Sequence, residues 1–184
     1  MTRIVAGSAG GRRLTTPAGA TTRPTSERVR AALANTLTAA GGLAGARVLD
    51  LYAGSGALGL ELLSRGAASV VLVERDRAAL VAARANVAGL GLPGAGVVAA
   101  DAAAFARTAV GPFDLVVADP PYELPDAELT AVLAALVRAG ALARGADLVV
   151  ERATRSGAFG WPAPLRPDRE RRYGDTLLCY GRAP

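Results

Sequence analysis

Residues 48–59 of the chain read VLDLYAGSGALG, an apolar strand pattern that runs directly into a glycine-rich turn and then a helical pattern. Glycines let the backbone turn tightly and approach a ligand closely, and the first turn of a helix offers unpaired N–H groups. Residues 54–59 fit the dinucleotide-binding fingerprint, and Glu74 follows 18 positions after Gly56, where an acid would hold ribose hydroxyls. This stretch predicts a nucleoside-containing cofactor rather than a plain tight turn.

Strand and helix patterns alternate along the rest of the chain, which is typical of a mainly parallel sheet with helices on both faces. The predicted strands are 48–52, 69–74, 96–100, 113–118 and 146–151, and the predicted helices are 57–65, 77–87, 102–108 and 126–139. A final hairpin, 171–173 with 176–180, can add antiparallel strands to the sheet edge. The sequence therefore predicts an α/β fold, a doubly wound sheet of about seven strands whose last strand is antiparallel.

The residues before this sheet carry their own pattern. Residues 4–7 and 12–15 flank a glycine-rich centre, which predicts a short β-hairpin. A loop at 21–26 ends in candidate helix caps, and apolar residues then recur at helical spacing as far as Gly41. Residues 1–42 are expected to form a hairpin and helix extension that makes one compact unit with a domain at 43–184.

Charge is distributed unevenly. The 184 residues carry a formal net charge of +5, and every basic residue is an arginine. Residues 1–47 contain seven arginines and one glutamate. A one-sided basic segment is the footprint of a partner that carries phosphates; a solvated basic face is the alternative.

Composition also bears on the compartment. Cys179 is the single cysteine, so an intramolecular disulfide is excluded, and its apolar neighbours favour a buried small side chain over a reactive thiol. The first residues lack the apolar core of a signal peptide, and later apolar stretches are interrupted by Arg, Gly or Asp. A cytoplasmic protein that does not enter a membrane is expected.

Residues 113–122 read FDLVVADPPY, an apolar strand that ends in an acid, two prolines and an aromatic. The prolines stop the strand because they cannot donate to a ladder. Asp119 is thus placed at the carboxyl end of a central strand, where open α/β sheets bind ligands. Taken alone, the two prolines favour a strand end capped by a turn, and the rest of the chain favours a ligand site instead.

Three features argue against a dinucleotide. Asp50 lies four positions before Gly54, where a carboxylate would repel a pyrophosphate but could reach a cationic amino group. The chain is too short for a second domain that holds a hydride acceptor, and it has no histidine. The tetrad Asp119–Tyr122 has no role in hydride transfer. An oxidoreductase that binds NAD(P) nevertheless stays open as an alternative.

Together, residues 50–59, Glu74, Asp101 and the tetrad resemble S-adenosylmethionine-dependent methyltransferases that modify exocyclic amines. The front of the chain narrows the resemblance, through Arg3–Gly7, Arg12, Leu14, Arg23–Thr25, Arg28–Arg30, Leu37 and Leu49–Glu61. With these residues the chain resembles the bacterial RsmD family, which methylates N2 of a guanine in small-subunit ribosomal RNA. The amino-terminal arm, residues 1–42, departs from the family in having no lysine and in carrying Ala9 and Gly10 in the hairpin. The resemblance implies a Rossmann-like methyltransferase fold.

The resemblance also implies a set of cofactor contacts. Asp50, Gly54 and Gly56 would hold the methionine end of S-adenosylmethionine, Glu74 the ribose and Asp101 the adenine amine. The remaining residues of the implied cofactor site, next to these in the chain, are Ala53, Ser55, Arg75 and Ala102. For Asp101, capping of the following helix is an equally good interpretation. The product would be S-adenosylhomocysteine, and no metal is expected.

For the reaction, the resemblance implies that Asp119 and the carbonyl of Pro120 accept hydrogen bonds from the target NH2, and that Pro121 keeps this geometry rigid. An aryl amine is a poor nucleophile because its lone pair is delocalised, so two acceptors that turn the lone pair out of conjugation would activate it. Tyr122 would stack on a splayed or flipped base, or would instead be a hydrophobic plug beside the turn.

The expected partner is ribosomal RNA or an assembling small subunit, bound by a monomer. Residues expected to contact phosphates are Arg3, Arg12, Arg13, Arg23, Arg28 and Arg30, since arginine forms bidentate contacts. The tetrad also suits methylation of DNA adenine or protein glutamine, and only the arm pattern and the missing target-recognition domain favour RNA. A non-catalytic RNA-binding protein is the remaining alternative.

Overall fold

The computed structural model describes residues 2–17 and 27–184 and has two sheets and five helices in those ranges. The strands are β1 Thr2–Arg3, β2 Arg13–Leu14, β3 Arg47–Leu51, β4 Ser69–Glu74, β5 Ala95–Ala99, β6 Phe113–Ala118, β7 Leu142–Ala153, β8 Arg166–Tyr173 and β9 Thr176–Arg182. The helices are α1 Glu27–Ala39, α2 Ala57–Ser64, α3 Arg77–Leu90, α4 Ala102–Thr108 and α5 Asp126–Arg138. Strand and helix alternate from β3 to β7, as predicted.

The main sheet has seven strands in the order β5-β4-β3-β6-β7-β9-β8. Neighbouring strands from β5 to β7 are parallel, and β9 pairs antiparallel with both β7 and β8. The prediction of a doubly wound sheet with an antiparallel end is confirmed. From β3 the chain adds β4 and β5 on one side, and it then crosses from β5 to β6 on the other side of β3, so the strand order reverses between β3 and β6. Open α/β sheets bind ligands at such a point.

Two hydrophobic clusters cover the two faces of this sheet. Alternate residues of each central strand point to opposite faces, and Val48 and Leu49 accordingly belong to different clusters. Helices α1, α2 and α3 pack on the Val48 face, and α4 and α5 pack on the Leu49 face. Because both faces are buried, the central strands read as continuous apolar runs, and this is why the sequence identified them well.

The amino-terminal arm, residues 1–42, begins with a small two-stranded element at residues 2–17 that packs on α2. Thr2 pairs with Leu14 and Arg3 with Arg13, whereas the sequence predicted a longer first strand at 4–7. That prediction is wrong because the amides of Val5 and Ala6 donate instead to the carboxylate of Glu61 on α2. Gly7 makes the approach possible, since a Cβ at this position would lie 1.9 Å from the carbonyl oxygen of Ser64.

Candidate functional site

The glycine-rich loop joins β3 to α2 and is built from left-handed backbone. Tyr52, Gly54 and Gly56 have φ values of 61°, 56° and 78°. Glycine adopts this region freely, but a tyrosine does so only under constraint. The constraint here includes the hydrogen bond from the Ala53 amide to the Val73 carbonyl, at 3.0 Å. Tyr52 is therefore a site residue that sequence reasoning did not single out.

The third glycine of the motif, Gly59, is needed for close packing of α2 on the sheet and not for a left-handed backbone conformation. A Cβ on Gly59 would lie 2.5 Å from Leu72, 2.8 Å from Val70 and 2.9 Å from Asp50. Helix α2 therefore passes directly over the sheet at this residue. At Gly54, by contrast, a Cβ would meet no described atom within 4 Å, so space is available beside the middle of the loop.

Glu74 is anchored by backbone amides at the end of β4. One carboxylate oxygen accepts a hydrogen bond from the Gly54 amide at 2.8 Å, and the other accepts from Arg75 and Asp76 at 2.7 and 2.8 Å. The acid thus ties the glycine loop to the neighbouring strand. Its place at the carboxyl end of β4 is the one that the sequence predicted.

Asp50 is buried beneath α2, with 1% of its surface exposed, and accepts a hydrogen bond from the Gly59 amide at 2.8 Å. The pKa of Asp50 is raised to about 8, chiefly by desolvation and also by the negative charges of Asp119 and Glu74, while the hydrogen bond from Gly59 opposes the shift. Asp50 thus interacts electrostatically with Asp119 and Glu74, which belong to the strand ends on either side of β3. A cation placed among them would be stabilised electrostatically.

We expect Asp50 to make stability pH-dependent. Its pKa is raised on folding, so the folded protein retains this proton between about pH 4 and 8 while the unfolded chain has lost it. The stabilising contribution is complete below about pH 4 and is lost as the pH rises through about 8. Urea unfolding of wild type and Asp50→Asn between pH 5 and 9 checks this, since only the wild type should lose this contribution. Parallel pH profiles for the two proteins would contradict it.

Asp101 caps α4. One of its oxygens accepts hydrogen bonds from Ala103 and Ala104, and the other pairs with the guanidinium of Arg75 at 3.1 Å. Although slight burial acts the other way, the bonds from Ala104 and Ala103 and the charge of Arg75 lower the pKa of Asp101. The capping interpretation is thus observed, and a contact to adenine stays a prediction. Ala102, the first residue of α4, is buried.

The tetrad Asp119–Tyr122 follows β6 directly beside the glycine loop. Leu51 and Ala118, the last residues of β3 and β6, are register partners, and the Asp119 amide lies 3.4 Å from the Leu51 carbonyl oxygen. Pro120 is buried, whereas Asp119 and Tyr122 are half-buried and Pro121 is exposed. A hydrogen bond of 2.9 Å from the Leu124 amide to the Pro121 carbonyl closes the turn. The glycine loop and the tetrad therefore lie side by side at one edge of the sheet.

The basic residues of the arm divide into two groups. Arg3, Arg13 and Arg28 are exposed, and Arg3 and Arg28 line a groove of about 420 Å³ between the hairpin and α1. The guanidinium of Arg12 donates to the carbonyls of Gly89 and Leu90 at the end of α3. Arg23 lies outside the described residues.

Arg30 requires a correction. It is 1% exposed, its guanidinium donates to the carbonyl of Arg3, and its Nε lies 3.8 Å from the carboxylate of Glu61. Desolvation lowers the pKa of Arg30, while the charge of Glu61 opposes this shift. A guanidinium buried in this way cannot contact a phosphate, so the prediction of RNA contact by Arg30 is wrong. Helical spacing alone could not reveal that α2 covers this residue.

Glu61 and Arg152 are two buried charges that sequence reasoning also missed. Glu61 interrupts the otherwise apolar α2, and this interruption was the available signal. Arg152, on β7, is 3% exposed and binds both the Leu124 carbonyl at 2.8 Å and the carboxylate of Asp126 at 2.7 Å. It therefore holds the segment that follows the tetrad against the sheet. No feature of the sequence around Arg152 indicated that this side chain would be buried.

Within 2–17 and 27–184, no group of three or more His, Cys, Asp or Glu side chains is placed to hold a metal ion. In the same ranges, no helix combines the length and apolarity needed to cross a membrane.

Comparison with known proteins gives the family. Residues 2–182 match the family described as Conserved hypothetical protein 95. The chain is also 39% identical over 174 residues to ribosomal RNA small subunit methyltransferase D of Escherichia coli strain K12, a match covering 95% of this chain and 86% of the relative. The chain belongs to the RsmD family. The resemblance on which the sequence analysis relied is thereby confirmed.

Solved structures agree with this RsmD-family assignment. The Escherichia coli protein yhhF superposes with a TM-score of 0.87 at 35% identity, covering 98% of this chain and 97% of that one. Magnesium protoporphyrin IX methyltransferase from Synechocystis PCC 6803, solved with bound S-adenosylmethionine, gives a TM-score of 0.67 at 18% identity, covering 85% and 79%. The second likeness shows a shared fold only. The predicted Rossmann-like methyltransferase fold is confirmed.

Proposed function

We propose that this RsmD-family chain transfers a methyl group from S-adenosylmethionine to the exocyclic N2 amine of a guanine in small-subunit ribosomal RNA. The observation that carries the proposal is the register of β3 with β6. It sets the glycine loop and Asp119 side by side at the same sheet edge. The relative from Escherichia coli, named a ribosomal RNA small subunit methyltransferase, supports the class of substrate.

The residues around the glycine loop fit the proposed cofactor. Space is available beside Gly54. Glu74 and Asp119 supply negative charge that suits an amino group and a sulfonium, and a cation bound there would favour ionisation of Asp50, which otherwise keeps its proton up to about pH 8. Asp50 and the loop residues Ala53–Gly56 would hold the methionine end, Glu74 the ribose, and Asp101 with Arg75 and Ala102 the adenine. When bound, the cofactor supplies an already activated methyl group.

The protein would then act mainly by orienting the amine. Asp119 and the carbonyl of Pro120 accept hydrogen bonds from the two N–H groups of the target amine. These bonds turn the nitrogen lone pair out of conjugation with the ring and toward the methyl group. The amine becomes acidic as the new N–C bond forms, so Asp119 orients first and accepts a proton only afterwards. Pro120 and Pro121 restrict the backbone, which keeps the two acceptors in place.

The target base has to leave its stack to reach these acceptors. Tyr122 is half-buried in the same turn and offers an aromatic face for the splayed base. Arg152 keeps the following segment fixed through Leu124 and Asp126. The turn is therefore held at both ends, by β6 and by β7.

Exposed arginines of the arm would contact the RNA backbone. Arg3, Arg12, Arg13 and Arg28 are candidates by exposure, although the guanidinium of Arg12 also donates to the carbonyls of α3. We assign residues 1–42 to RNA contact and residues 43–184 to methyl transfer, within one monomeric cytoplasmic protein. Either naked ribosomal RNA or an assembling subunit would be the substrate.

Incubation with labelled S-adenosylmethionine tests the reaction. Label should enter small-subunit RNA, supplied naked or in subunits, and digestion to nucleosides should show N2-methylguanosine. Methylated adenine would instead correct the target base. Absence of label from every RNA, with the cofactor bound, would refute the proposed function.

Charge reversal tests the arm. Arg13→Glu with Arg28→Glu should weaken RNA binding and reduce the slope of log affinity against log salt by about 0.7–0.9 for each phosphate that the arm no longer neutralises. Arg107→Glu with Arg138→Glu is the matched control, because these exposed arginines lie on α4 and α5, across the sheet from the arm. Equal salt slopes for the two variants would exclude the arm as the phosphate-binding element.

A further inference from the structure

Asn86 joins the arm to the glycine loop. It lies on α3, is 4% exposed, and uses both polar atoms of its side chain. Its Oδ1 accepts a hydrogen bond from the Thr15 amide at 2.7 Å. Its Nδ2 donates to the carbonyls of Thr15 and Ser55, both at 2.9 Å. One side chain thus contacts two elements that lie 40 positions apart in the chain.

The chemistry of the junction requires this side chain. Thr15 offers an N–H and a C=O to the same residue, as a neighbouring strand would, and the side-chain amide of Asn86 has both an acceptor oxygen and a donor nitrogen to pair with them. The carbonyl of Ser55 accepts a hydrogen bond from the second hydrogen on Nδ2 of Asn86. An aspartate would match the amide of Thr15 but would repel both carbonyls, and an alanine would leave all three backbone groups without this partner.

The arm has a second attachment to the same helix. Arg12 donates to the carbonyls of Gly89 and Leu90, one turn beyond Asn86. Residues 12–15 are therefore held along the last turns of α3. The contact with Ser55 is distinctive because it belongs to Asn86 alone among these attachments and reaches the proposed cofactor site.

We propose that Asn86 is a positioning residue that couples the glycine loop to the arm, so that cofactor bound at the loop and RNA bound at the arm favour one another. This rests on the proposed function. A ligand that fixes the Ser55 carbonyl also fixes the plane of the Asn86 amide, and with it the two hydrogen bonds of Thr15. Binding linkage is reciprocal, so RNA that orders the arm strengthens cofactor binding by the same factor.

Amide hydrogen exchange measures the coupling without RNA. Saturating S-adenosylhomocysteine should slow exchange in the segment that contains the Thr15 amide by about threefold to tenfold in the wild type, the range expected for strengthening one or two hydrogen bonds. In Asn86→Ala and in the isosteric Asn86→Asp, the ligand should leave that exchange unchanged. Asn35→Ala alters the other asparagine of the chain, an exposed residue of α1 whose side chain accepts a hydrogen bond from Arg65, and it should behave as the wild type.

The outcomes separate the possible roles. If Asn86 only supported the fold, exchange in the free variants would rise but the factor produced by the ligand would persist, and the coupling would be refuted. If the ligand binds the wild type and leaves the arm unchanged, the coupling is refuted even where the variants do not fold. Failure of S-adenosylhomocysteine to bind the wild type at all would instead refute the proposed function.

Discussion

Asp119→Ala is expected to lower the rate of methyl transfer by about 10²–10³-fold, the range found when one preorganised hydrogen-bonding group is removed from a catalytic site. The reason is that the amine would keep its lone pair in conjugation with the ring. Single-turnover incorporation of labelled methyl into small-subunit RNA measures the rate. Calorimetric titration with S-adenosylhomocysteine should give an affinity close to that of the wild type.

Two further variants sharpen this result. Asp119→Asn keeps one acceptor oxygen and should retain an intermediate rate. Glu123→Ala removes an exposed carboxylate four positions along the same segment and should keep the full rate. A loss of cofactor affinity in Asp119→Ala that matches the loss of rate would show that Asp119 serves the cofactor and not the amine.

Glu61→Ala is expected to reduce the free energy of unfolding by about 3–5 kcal/mol, the range for removing one partner of a buried ion pair. Glu61 is 0% exposed and lies between Arg30 and Arg65, with distances of 3.8 and 2.6 Å. Its removal leaves the guanidinium of Arg30 buried without its counter-ion. It also deprives the arm of the acceptor for two amides.

Urea unfolding measures this effect, with Glu128→Ala as a control on an exposed helical glutamate that should stay within about 0.5 kcal/mol of the wild type. The double variant Glu61→Leu with Arg30→Met removes both charges and should recover part of the loss. Recovery should be incomplete, because the amides of Val5 and Ala6 still lack their acceptor. A loss below about 1 kcal/mol in Glu61→Ala would show that the ion pair adds little to the fold.

The sequence predicted the elements whose two faces are both buried. Strand β4 and helix α4 have the predicted bounds, and β3 and β5 differ by one residue, because continuous apolar runs and clear caps mark them. Strand β8 was recognised only at its end, since a strand exposed on both faces has no apolar alternation to detect. Strand β7 begins four residues earlier than predicted, where register shifts against β6 extend the pairing.

At the site, the sequence motifs identified which residues lie at the sheet edge, but they did not reveal the ion pairs and hydrogen bonds between distant parts of the chain. Asp50, Glu74 and Asp119 were identified because each lies at or next to the carboxyl end of an apolar strand, and parallel strands bring such ends to one sheet edge. Arg30 was misread because its counter-ion lies on another helix, 31 positions further along the chain. Asn86 was missed for the same reason, since its partners come from both the arm and the glycine loop.

The exposed edge formed by β8 affects how the protein behaves at high concentration. An unpaired strand edge is a template on which a second chain can add, and that leads to aggregation. Strand β8 carries four arginines, two acids and Pro167 along its eight residues, so an approaching chain meets charge and a missing N–H donor. At the opposite edge β5 has only five residues, which offers little length for such pairing. The sheet is thus protected against self-association by charge at one border and by shortness at the other.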